Sequence, residues 1–96
     1  MLSKIPIDLE KISKNNIDKE IIRAALIAEL DAINLYEEMA ALAKDDIIKQ
    51  VLLDVAKEEK EHVGESQTLL LMYDKEQVEE LEEGKEEVEE LIKEGE

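Results

Sequence analysis

The sequence predicts an all-α fold: an antiparallel two-helix hairpin with a short C-terminal helix, two copies of which pair into a four-helix bundle. Three observations predict it. Two long stretches without proline, apolar at helical spacing, are joined by the short turn Lys44-Asp45-Asp46, and so short a connection makes its neighbours antiparallel. The composition is that of long helices, 41% charged with one proline, three glycines, no Phe and no Trp. Each stretch is also oily on more sides than a single neighbouring helix can cover. A chain of 96 residues makes at most one domain, and a hairpin of this size cannot bury that surface alone.

Three regions follow along the chain. Residues 1–16 are an N-terminal arm: Pro6 breaks any preceding helix, residues 7–12 form a short turn, and Asn15-Asn16 is a stop and a new N-cap. Residues 17–73 are the hairpin. Its first helix runs from residue 17 to about residue 43, roughly 40 Å at 1.5 Å per residue. The second runs from residue 47 to about residue 72, with an Asp of the turn as its cap. Gly64 inside it costs about 1 kcal/mol relative to Ala and leaves room for close helix approach beside His62. Residues 74–96 are an acidic C-terminal helix and tail. Asp74-x-x-Gln77 has the spacing of a capping box, Gly84 is expected to interrupt the helix, and Val78, Leu81, Val88, Leu91 and Ile92 give a thin apolar stripe suited to a neighbouring subunit.

The chemistry is carried by Glu59-x-x-His62, which contains the one histidine of the chain. Three residues apart on a helix, the two side chains share a side and are able to grip one divalent cation, the pairing used by di-iron carboxylate bundles. In so glutamate-rich a chain this spacing arises by chance roughly one time in four. The added weight comes from the stripe Ile22, Leu26, Glu29, Ile33, Tyr36, Ala40, Ala43, which is apolar except at Glu29 and the tyrosine hydroxyl. The matching stripe on the second helix is Ile48, Leu52, Val55, Glu59, His62, Ser66, Leu69. With the hairpin centred near Asp45, position 29 faces position 61, between Glu59 and His62. An unpaired carboxylate on a dry face is costly, and a cation removes that cost. Tyr36 reads either as a core aromatic or as a redox-active neighbour of the metal. One hairpin supplies two carboxylates and one imidazole; a twofold pair supplies four and two, the inventory of a di-iron centre. Such ligands suit iron or manganese better than soft metals.

The net charge of −15 disfavours nucleic acid and anionic membranes. No apolar run spans a bilayer. The absence of cysteine and of a signal-type apolar segment fits a cytoplasmic protein.

Residues 27–37, Ile-Ala-Glu-Leu-Asp-Ala-Ile-Asn-Leu-Tyr-Glu, followed by residues 58–65, Glu-Glu-Lys-Glu-His-Val-Gly-Glu, resemble the encapsulated ferritins. The likeness is to the ferritin-like domain fused to, or encoded beside, encapsulin shell proteins, and it covers about residues 17–92. It implies a ferritin-like bundle, a homodimer sharing a di-iron ferroxidase site, a decameric ring of dimers, an encapsulin shell partner and residence in an encapsulin nanocompartment. It makes Glu29, Glu59 and His62 the iron ligands of each chain, with Glu59 bridging, and Tyr36 the aromatic beside the irons. Asp31 falls near an acidic position on the metal's access route. Ala28 and Leu35 stand where some members carry a carboxylate and a tryptophan, and the short apolar targeting peptide of stand-alone members is not seen after Ile92. Two alternatives stand beside ferroxidase: a rubrerythrin-like peroxidase, separated by comparing peroxide with dioxygen, and a non-enzymatic acidic assembly module, which predicts no bound metal.

Overall fold

A computed structural model describes residues 16–96. It contains α1 (Ile17–Leu42), α2 (Asp46–Tyr73) and α3 (Lys75–Glu94). Among the described residues there is no strand. Apart from Asn16, the N-terminal arm, with Pro6 and the turn assigned to residues 7–12, lies outside the described residues. The two long helices begin and end within a residue of their sequence-based bounds.

Local chemistry explains the boundaries. Asn16 occupies the N-cap position of α1, but its side chain makes no capping bond; its carbonyl accepts from the Glu20 N–H. At the turn, Ala43 and Asp45 are extended, which ends one helix and starts the next. Asp45 Oδ1 accepts from the N–H groups of Ile47 at 2.9 Å and Ile48 at 3.0 Å, satisfying two otherwise unpaired donors of α2. Asp74 Oδ1 does the same for Gln77 at 3.0 Å and opens α3. The capping box is therefore present in its Asp half.

Gly84 does not interrupt α3, which runs unbroken to Glu94. Glycine costs a helix only about 1 kcal/mol. Its neighbours here are strong helix formers, and the spacing Glu89 to Lys93 favours an ion pair one turn apart.

α1 and α2 lie against each other along their length, whereas α3 packs on α2 and not on α1. The molecule measures 48 × 46 × 20 Å, with a radius of gyration of 17.0 Å against about 12 Å for a compact domain of this length. It is flat and open because its core is small. The buried apolar residues among those described are Ala40, Ala56 and Leu70. Ile48, Val51, Leu69 and Met72 of α2, and Val78, Leu81, Val88, Leu91 and Ile92 of α3, remain exposed. Covering such a side chain contributes about 1.5–3 kcal/mol, so this surface strongly favours association.

Candidate metal centre

The one-turn spacing on α2 brings Glu59 and His62 together: His62 Nδ1 lies 3.4 Å from Glu59 Oε1. The Glu59 side chain is 22% exposed and that of His62 is 47% exposed, so the pair sits at the edge of the hairpin rather than inside it. Two ligands each about 2.1 Å from one cation lie about 3 Å apart when they are adjacent. The observed separation is close to that, and needs only a small adjustment to hold a divalent ion.

Glu29 sits elsewhere. Its Oε1 accepts a hydrogen bond from Ser66 Oγ at 3.0 Å, and Ser66 is itself buried. Its Oε2 is buried with no hydrogen-bond partner. A buried oxygen left in that state costs on the order of 1–3 kcal/mol. The orphaned oxygen is the feature at Glu29 that a cation would relieve, and carboxylate and imidazole, the donor types of the two pieces, are of the kind that iron or manganese accepts.

The position of Glu29 corrects the register expected from the sequence. Mirrored about Asp45, residue 29 faces position 61, but its partner Ser66 lies more than a turn further along α2. Lys60 Nζ, 3.0 Å from Glu37 Oε2, and Arg23 Nη2, 2.8 Å from Asp74 Oδ2, show an offset of the same sense. The cause is geometric. Helical side chains lean toward their own N-terminus. In an antiparallel pair, residues on α1 therefore reach away from the turn, while those on α2 lean back toward it. Contacting residues are then further from the turn on α2 than a count of Cα levels suggests. Tyr36 is half-buried on α1.

Accordingly, no group of three potential metal-ligating acids, histidines or cysteines converges within the described residues. A single chain holds two separate pieces, Glu59 with His62 and Glu29 with Ser66. Ser66 is the one polar member of its stripe that the sequence reading passed over. Its signal was a hydroxyl on an apolar face one turn after His62.

The comparisons with known proteins bear on what these pieces belong to. The model of the EncFtn-like family matches residues 5–83. The chain belongs to the EncFtn-like family. A crystal structure of the encapsulated ferritin domain from Pyrococcus furiosus superposes with a TM-score of 0.80 at 54% identity, covering 95% of each chain. The EncFtn-like chain thus has the all-α, ferritin-like helical fold. A ferritin-like-encapsulin shell fusion protein of Pyrococcus furiosus is 62% identical over 72 residues, which is 75% of this chain and 21% of the relative. The EncFtn-like chain therefore spans about a fifth of that curated relative's length. Among the described residues, no helix is long and apolar enough to cross a membrane.

Proposed function

We propose that this EncFtn-like chain is a ferroxidase that oxidises Fe(II) to Fe(III) at a di-iron site shared by two copies of the hairpin. The carrying observation is the buried, partnerless Oε2 of Glu29 on the otherwise apolar stripe of α1, matched on the α2 stripe by the Glu59–His62 pair. A twofold partner presenting the same groups gives four carboxylates and two imidazoles, and covers the apolar surface that the single hairpin leaves exposed.

In this reading Fe(II) is the substrate. Two Fe(II) ions together give two electrons: dioxygen with two protons leaves as hydrogen peroxide, or hydrogen peroxide with two protons leaves as two waters, and two Fe(III) ions are released. The chain's own residues supply the rest. Glu29 and Glu59 bring negative charge that favours the more highly charged product ion. His62, at the exposed edge, presents Nδ1 beside Glu59. Tyr36, half-buried on α1, is the aromatic that this reading sets beside the irons.

A hairpin dimer has no closed cavity, so the oxidised iron requires an outside container. We assign that role to an encapsulin-type shell, in line with the shell fusion named for the Pyrococcus furiosus relative. The exposed stripe of α3 suits the contacts of a decameric ring.

The test is Fe(II) oxidation followed by ferric absorbance. Glu29→Ala, Glu59→Ala and His62→Ala are each expected to abolish its growth. Oxidation at the wild-type rate in all three variants would refute the site.

A further inference from the structure

Ser66 lies on α2 one turn beyond His62, and its hydroxyl donates to Glu29 Oε1 at 3.0 Å across the hairpin. It is the one polar residue among those described with under a tenth of its surface exposed. The bond has two consequences. It fixes the carboxylate plane of an α1 residue from the helix that carries Glu59 and His62. It also engages one of the two acceptor sites of Oε1 and leaves the other oxygen, Oε2, without a partner.

We infer that Ser66 is a positioning and specificity residue for the cation at Glu29: by holding Oε1, it biases Glu29 toward ligation through Oε2. The inference rests on the proposed cation site. A carboxylate held to one oxygen suits a small divalent ion of regular geometry such as Fe(II). It disfavours Ca(II), which takes more oxygens and readily uses a carboxylate through both. Hydrogen bonds to ligands from neighbouring side chains commonly change metal affinity by about 10–100-fold.

The experiment is an anaerobic titration of the full chain with Co(II), read by its visible spectrum and repeated against competing Ca(II). Wild type, Ser66→Ala, Ser66→Thr and Glu29→Ala are compared. Alanine is the better helix former, so Ser66→Ala keeps its far-UV circular dichroism. It is expected to bind the same number of Co(II) ions about tenfold or more weakly. Its Co(II) bands should weaken, as higher coordination requires, and Ca(II) should compete better. Ser66→Thr, which retains the hydroxyl, should restore all three properties. Ser66→Ala indistinguishable from wild type, or Ser66→Thr indistinguishable from Ser66→Ala, overturns the role of the hydroxyl and leaves the cation site standing. Wild type that binds no Co(II), or Glu29→Ala that binds it as wild type does, overturns the site and this inference with it.

Discussion

Arg23 and Asp74 are 51 residues apart in sequence and meet at 2.8 Å, Nη2 donating to Oδ2. The contact ties the start of α1 to the junction of α2 and α3. The other oxygen of Asp74 caps α3 through the Gln77 N–H. One carboxylate thus anchors the joint that sets the direction of α3.

This gives a pH prediction. The Gln77 N–H holds the Asp74 carboxyl below its ordinary value of 3.8, aided by Arg23 and Lys19 and opposed by partial loss of hydration. The folded state therefore favours the ionised form. Its contribution is complete above pH 3.8 and is lost as pH falls through the lower folded value. In an acid titration followed by circular dichroism, wild type should lose α3 helicity in that range. Asp74→Asn should begin with less helicity and show a smaller change there. Superimposable curves would remove Asp74 from this role.

Asp45 caps α2 with two backbone bonds. Asp45→Ala should lower stability by about 1 kcal/mol. Denaturant unfolding at fixed protomer concentration is the check, since association contributes to apparent stability. An unchanged midpoint would mean that the cap is dispensable.

Gly84 has nothing within 4 Å of where a Cβ would stand, and its backbone is helical. Gly84→Ala should therefore raise stability by up to about 1 kcal/mol and increase helicity. A drop in stability would reveal a close neighbour supplied by another copy of the chain.

Much of the fold was legible because it depends on local rules. Helical spacing, the short turn, and the Asp caps at residues 45 and 74 are written in neighbouring residues. Glu59 and His62 meet because one helix places them three residues apart. What was not legible depends on two helices at once. The lean of side chains moved Glu29 away from position 61 to Ser66, which no count along the chain reveals. Gly84 was over-weighted as a breaker, because a single glycine's cost is small beside the propensity of its neighbours. Glu29 does not converge with Glu59 and His62 within one chain, and in the proposed site their meeting would depend on the surface shape of a second copy rather than on sequence spacing.

Leu69 follows Ser66 on the same stripe and is 47% exposed. Leu69→Lys should shift the chain from dimer toward monomer in analytical ultracentrifugation, because it puts a charge where apolar surface must be covered. Iron oxidation should fall with dimer content although Glu29, Glu59, His62 and Tyr36 are all intact. Full activity in a monomeric variant would place the site within one chain.

The most direct measurement is native mass spectrometry of the full chain loaded anaerobically with Fe(II). The account predicts two irons for each pair of chains, on dimers or their multiples, and none after Glu29→Ala, Glu59→Ala or His62→Ala. Iron carried by single chains, or a stoichiometry that these substitutions leave unchanged, would contradict it.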